Sequence, residues 1–188
     1  MTIQQASKPT FKQEQPGIDW EKYRHLFKEL TVPAKTMLLH EGDVSKYAYF
    51  IKEGCLRLWF NNKGKDITFQ FFFENEGVSS MESFRGGEPS LFSIESIEPS
   101  TVYAISKKNF EKIFMNDPKY SAFIQETVYK RLAYYSRLFM SYIKNTPEER
   151  YRDLLKNSPY IIKRVPQHYI ASYLGITSVS LSRIRNRI

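Results

Sequence analysis

From Thr36 to Ser106 apolar and polar residues alternate in short runs broken by Gly, Asn and charged turns, the two-residue period of β-strands. The runs are Met37 to His40, Tyr47 to Lys52, Leu56 to Phe60, Ile67 to Phe73, Phe92 to Ile97 and Thr101 to Ile105. In the fourth, Ile67, Phe69, Phe71 and Phe73 alternate with Thr68, Gln70 and Phe72, which predicts one buried, largely aromatic face. Glu41-Gly42-Asp43, Glu53-Gly54 and Asn61-Asn62-Lys63-Gly64 supply the turn chemistry between runs. Six or more short strands so spaced favour an antiparallel sandwich or jelly roll.

On either side the period becomes helical. Asp19 followed by WEKYRHLFKEL predicts an N-capped amphipathic helix with Trp20, Tyr23, Leu26, Phe27 and Leu30 on one side, stopped at Thr31-Val32-Pro33. Ser106 caps a short helix, KKNFEKIFM, and Asp117-Pro118 opens a long one. Along the long helix Ile124, Val128, Leu132, Tyr135, Phe139 and Tyr142 recur every three or four residues. Such a seam suits packing on the β domain or pairing with a twin helix, and the dimer seam is the preferred reading. Thr146-Pro147-Glu148-Glu149 is a capping box opening a helix to Lys156, which Asn157-Ser158-Pro159 stops.

The last 24 residues, Val165 to Ile188, read VPQHYIASYLGITSVSLSRIRNRI. Two short helices joined at Gly175 would press Ile170, Leu174, Ile176, Leu181 and Ile184 together, which is helix-turn-helix spacing. Thr177 can cap the second helix. With the apolar set turned inward, Ser178, Val179, Ser180 and Arg183 are left outward to read base edges. Gln167, His168, Thr177, Arg185 and Arg187 are the expected phosphate contacts.

Charge sharpens this division. The 188 residues carry a net charge of +8, yet from Lys130 onward there are 12 Lys or Arg against 3 Asp or Glu, and before it 16 against 17. The basic third is therefore the C-terminal one, as a phosphate-binding module requires. The expected organisation is a flexible tail at 1–18, a β roll at 19–116, a dimerisation helix at 117–144 and a helix-turn-helix domain at 145–188, an α+β chain. No apolar run is long enough to span a bilayer and no signal-peptide order opens the chain, so a cytoplasmic protein without membrane contact is expected. With one cysteine, Cys55, and three scattered histidines, no metal site or other cofactor is expected. His25 and His40 read as surface residues.

In order, HEGD at 40–43, YFIKEGCLRL at 49–58, YAISKKNFEKI at 103–113 and YIASYLGITSVSLSRI at 169–184 resemble the CRP/FNR transcription regulators. The resemblance covers roughly residues 20–188. It implies a cyclic-nucleotide-binding-type jelly roll, a dimerisation helix and a DNA-binding domain whose last helix enters the major groove. It also implies that Arg183 matches the family's base-contacting arginine. The expected partners are palindromic double-stranded DNA, a second copy of the chain, RNA polymerase and an unidentified small effector.

Two departures accompany the resemblance. Cyclic-nucleotide-binding members carry a Gly-Glu pair for the ribose and an Arg-Ser or Arg-Thr pair for the phosphate. Counting back from Ser106, those positions hold Ser80, Ser90 and Leu91. The effector pocket, at Ser80, Met81, Ser90, Leu91, Tyr135 and Ser136, is therefore expected to be degenerate toward cyclic AMP and cyclic GMP, because an anion left unpaired in a desolvated site costs several kcal/mol. Nearby Arg85 with Gly86-Gly87 reads as a surface loop rather than a rebuilt anion site. The family's β wing is expected to be shortened or missing, and Ser178 and Val179 stand where well-known members carry Arg and Glu.

Two competing readings remain. A metal-dependent cupin enzyme needs about three histidines and a carboxylate converging in the barrel, and only His40 lies in the β region. No Ser-His-Asp, Cys-His or P-loop arrangement is visible, so an enzyme is not expected. A degenerate member acting through protein contacts stays open, with footprinting as the discriminating observation.

Overall fold

The computed structural model describes residues 20–188, so the expected tail and the Asp19 cap lie outside the described residues. The chain runs α1 (Trp20–Tyr23), β1 (Phe27–Val32), β2 (Met37–Leu39), β3 (Tyr47–Glu53), β4 (Leu56–Asn62), β5 (Lys65–Phe72), β6 (Gly77–Val78), α2 (Met81–Gly86), β7 (Ser93–Ser96) and β8 (Ser100–Ser106). The C-terminal half is helical: α3 (Lys107–Asn116), α4 (Pro118–Lys144), α5 (Pro147–Asn157), α6 (Pro159–Arg164), α7 (Gln167–Tyr173) and α8 (Ser178–Arg185). The strands form two antiparallel four-stranded sheets, ordered β1-β8-β3-β6 and β2-β7-β4-β5. Leu39, Tyr49, Ile51, Leu56, Phe72 and Ile94 are among the side chains buried in the core of the roll. This is the antiparallel roll that the alternating runs predict.

The N-terminal helix is shorter than its periodicity predicts. α1 lasts four residues, passes into a 3₁₀ turn at Arg24–Leu26, and the chain then extends as β1. Phe27 to Val32 pair with Ile105 back to Ser100, so six residues give up helical hydrogen bonds for a sheet ladder. Leu30 packs against the roll core, and the Phe27 ring meets Phe50 edge-on at 5.8 Å. Tertiary pairing thus overrides an amphipathic pattern whose local helix preference was small.

β5 also departs from its expected pattern. Between β4 and β5 the register slips, with Leu58 opposite Gln70 and Trp59 opposite Thr68, leaving Phe69 as the extra residue of a bulge. Phe69 and Phe72 consequently pack with the roll interior, while Phe71 and Phe73 join the core of the terminal helices. Instead of one aromatic face, β5 has aromatic residues on both.

The helix boundaries follow their caps. The Ser106 hydroxyl accepts from the Asn109 N–H at 3.3 Å, and the Asp117 carboxylate accepts from Lys119 and Tyr120 N–H groups at 2.9 and 3.2 Å. The Tyr23 hydroxyl also donates to Asp117 at 2.7 Å, which pulls that carboxyl below the usual range and ties α1 to the start of α4. The capping box is complete, with Glu149 N–H to Thr146 at 3.3 Å and Thr146 N–H to the Glu149 carboxylate at 2.7 Å. Beyond the stop at Ser158 the chain restarts at once as α6, which the sequence pattern did not foresee.

The terminal helices rest against the roll. One continuous core joins Cys55, Phe71, Phe73 and Ile97 to residues of α5, α6, α7 and α8. Cys55 lies buried in the turn between β3 and β4, and burial pushes its thiol up. No strand accompanies α7 and α8 among the described residues.

Candidate nucleic-acid interface and ligand cavity

The turn between α7 and α8 is built as helix-turn-helix spacing requires. Gly175 has φ +69°, a left-handed conformation that a β-carbon disfavours. Ile170, Leu174, Leu181 and Ile184 are buried, and Ile176 packs beside them. The Arg150 guanidinium of α5 donates to the Leu174 carbonyl at 2.8 Å and lies 4.5 Å over the Tyr142 ring, while the Tyr142 hydroxyl donates to the Tyr173 carbonyl. These donors satisfy carbonyls at the end of α7 and fix its angle to α4 and α5.

The residues expected to meet DNA lie outward. Ser178, Val179, Arg183, Arg185 and Arg187 on and after α8 are exposed, as are Gln167, His168 and Thr177. Val179 is 61% exposed. Ser180 is half-buried: its N–H donates to the Thr177 hydroxyl at 3.2 Å and the two hydroxyls lie 3.0 Å apart, so this pair caps the helix. None of the three arginines forms an ion pair among the described residues. A row of cations without internal partners on a helix exposed along one side can approach phosphate without first breaking a protein contact.

The opposite side of the unit is committed to the roll. From α7, Ser172 accepts from the Thr68 N–H at 2.8 Å and donates to the Asp66 carbonyl at 2.7 Å, covering backbone of the edge strand β5. The Arg57 guanidinium, from β4, lies 4.0 Å over the Tyr169 ring and 4.5 Å over Trp59. It is paired with Glu95 at 2.7 Å and Asp66 at 3.2 Å. Arg164, at the end of α6, donates two hydrogen bonds of 2.8 Å to Glu74 and also pairs with Glu98 and the Gly54 carbonyl. Sequence reasoning missed this docking, since nothing in the spacing of Arg57 or Arg164 distinguishes an interdomain pair from a surface charge.

The long helix divides the expected dimer seam. Ile124 packs on the core below α3 and Tyr135 meets the Phe69 ring at 5.1 Å, so these two turn toward their own chain, while Tyr142 reaches Tyr173 with its hydroxyl and stays 41% exposed. Val128, Leu132 and Phe139 are exposed. So are Tyr129, Ser136 and Ile143, which lie outside the expected seam. The exposed line Tyr129, Leu132, Ser136, Phe139 and Ile143 has steps of three, four, three and four residues. That alternation is the mark of a coiled-coil stripe.

Between the open side of the roll, α2 and α4 lies a cavity of about 400 Å³. Of the expected pocket residues, Ser80, Met81, Leu91 and Tyr135 line it. Ser90 is buried with its hydroxyl donating to the Phe92 carbonyl at 2.6 Å, and Ser136 is exposed with its hydroxyl bonded to the Leu132 carbonyl. Arg85 is exposed and outside the cavity lining. The cation that does line it is Arg131 of α4, one helical turn before Tyr135, which the sequence reading overlooked. Glu82 is the carboxylate on this lining, and the two positions expected to meet a phosphate hold Ser90, committed to Phe92, and Leu91.

His25 and His40 are exposed, and no group of three potential metal ligands occurs among the described residues. Within those residues no helix is long and apolar enough to cross a membrane.

Comparison with known proteins agrees with this geometry. Residues 29–117 match the cyclic nucleotide-binding domain family. FixK2 from Bradyrhizobium japonicum is 16% identical with a TM-score of 0.73, over 86% of this chain and 83% of that one. The c-di-GMP responsive global regulator CLP from Xanthomonas campestris is 15% identical with a TM-score of 0.71, over 89% and 88%. A protein from Eubacterium rectale described as a transcriptional regulator of the CRP/FNR family is 15% identical with a TM-score of 0.70, over 89% and 80%. At such identities the likeness establishes the fold. No curated protein matches the chain.

Proposed function

With a cyclic nucleotide-binding domain at residues 29–117 set in the fold of the CRP/FNR regulators, we propose that this protein is a homodimeric, sequence-specific DNA-binding transcription regulator acting in the cytoplasm. The observation that carries the reading is α8: an exposed helix whose three following or included arginines, Arg183, Arg185 and Arg187, have no carboxylate partner among the described residues. Arg183 reads a base, a guanidinium–guanine pair being the commonest specific contact, with Ser178, Val179 and Ser180 beside it. Gln167, His168, Thr177, Arg185 and Arg187 hold phosphates and set the register.

Two copies pair along the exposed stripe of α4 and offer two recognition helices about one DNA turn, roughly 34 Å, apart to an imperfect palindrome. The roll serves as a sensor whose cavity takes neither cyclic AMP nor cyclic GMP. RNA polymerase is the expected downstream partner.

Selection of bound sequences from a random DNA pool tests the reading directly. A palindromic consensus is the expected result, and log affinity for it should fall steeply with log salt. Enrichment of no sequence would leave a role through protein contacts instead.

A further inference from the structure

Resting on the sensor reading of the roll, we propose that its cavity binds a small organic carboxylate with an apolar body, and that Arg131 is the anion's partner. The walls are Leu58, Phe69, Phe72, Val78, Leu91 and Phe92, with Tyr135 closing one side. Arg131 Nη2 donates to the Gly77 carbonyl at 3.1 Å and the guanidinium lies 4.5 Å over the Phe72 ring. Its Nη1 is buried with no hydrogen-bond partner. A desolvated guanidinium nitrogen without an acceptor is costly, and a carboxylate is the group whose geometry fits that planar fork.

Chemistry of the lining narrows the class. One guanidinium balances one negative charge, which disfavours phosphate dianions and polyphosphates. Of the hydroxyls on the lining, Ser83 accepts from the Ser45 N–H and Thr127 donates to the Phe123 carbonyl, both at 2.8 Å, while Ser79 and Ser80 also border the cavity. Glu82 also borders the cavity, but it is exposed to solvent.

The wider cavity across Arg131, about 760 Å³, is the poorer place for an anion. It contains Glu76, a half-buried carboxylate whose pKa desolvation pushes up, and an incoming negative charge would meet it. On the roll side, the Tyr135 phenol, which burial pushes up, borders the same cavity and can donate a second hydrogen bond to the carboxylate.

Thermal shift and calorimetry on the full chain, without DNA, test the proposal with naphthoate, its neutral amide, octanoate and cyclic AMP. Naphthoate or octanoate at about 5 mM should raise Tm by about 3 °C or more, with little effect from the amide or cyclic AMP. Arg131→Gln should weaken carboxylate binding about tenfold or more, and Arg131→Lys should retain part of it. Equal shifts from acid and amide, no shift from either carboxylate, or a larger shift from cyclic AMP would overturn the assignment. Should Arg131→Gln fail to fold, the acid–amide pair on the unaltered chain decides the matter alone. Because DNA is left out, a silent cavity leaves operator recognition standing, and failed operator selection leaves a carboxylate site standing.

Discussion

Arg57 and Arg164 sit at the junction of the roll with the terminal helices, each held by two carboxylates, and Arg57 is 2% exposed. Arg183, Arg185 and Arg187, a short distance along the same basic third or its docking partner, stand exposed with no carboxylate within reach among the described residues. Guanidinium chemistry is the same in both places, and the surroundings separate their roles. At the junction the charge is desolvated and spent on orienting one domain against the other. On α8 it stays hydrated until phosphate or a base edge replaces the water. A count of basic residues therefore overstates the charge open to DNA, and pairing is the better guide.

The largest effect should come from the junction. Arg57→Met leaves Glu95 buried without its cation, and chemical denaturation should show a loss of about 3–5 kcal/mol. A drop below about 1 kcal/mol would mean that the pair contributes little to docking. Next comes the exposed stripe of α4: Phe139→Asp places a charge in the proposed dimer contact and should weaken self-association by about 3 kcal/mol, read by sedimentation. An unchanged dimer would move the interface elsewhere. Arg183→Ala should cost about 1–3 kcal/mol of specific DNA affinity while leaving Tm in place, the reverse of the Arg57 variant. Loss of Tm on Arg183→Ala would erase the contrast between the two sets.

The smallest effect is electrostatic and local to Arg164. Burial pushes the Glu74 carboxyl up, but hydrogen bonds from Arg164 and the Gly54 N–H outweigh it and hold Glu74 below its ordinary 4.5. A carboxyl whose folded value lies below its unfolded one stabilises above the unfolded value and loses that contribution as pH falls through the folded one. Stability should therefore decline as pH drops below about 4.5, and Glu74→Gln should flatten part of that decline in a pH series of denaturation midpoints. An identical slope in the variant would remove Glu74 from the linkage.

Much of the site was readable because short-range rules governed it. The Thr146–Glu149 box, the Asp117-Pro118 start and the Gly175 turn depend on neighbours in the chain, and each appears as its residues imply. The outward position of Ser178, Val179 and Arg183 follows from burying Leu181 and Ile184 on the other side of one helix. Arg131 escaped notice because its importance depends on Gly77 and Phe72, more than fifty residues away in sequence. The two sides of α4 escaped separation for a related reason: Tyr135 and Tyr142 obey the helical period as well as Leu132 and Phe139 do, and only the placement of Phe69 and Tyr173 distinguishes them.

Sequence by itself determined the strand runs, the caps, the helix-turn-helix spacing and the concentration of positive charge toward the C-terminus, since these rest on periodicity and contacts between near neighbours. Tertiary structure alone decided that Phe27–Val32 is a strand, that a bulge at Phe69 turns β5 aromatic on both faces, and that Arg57, Arg131 and Arg164 face inward. Those outcomes depend on which distant surface each segment meets, and the free energy of that meeting exceeds the fraction of a kcal/mol per residue by which local preference distinguishes helix from strand.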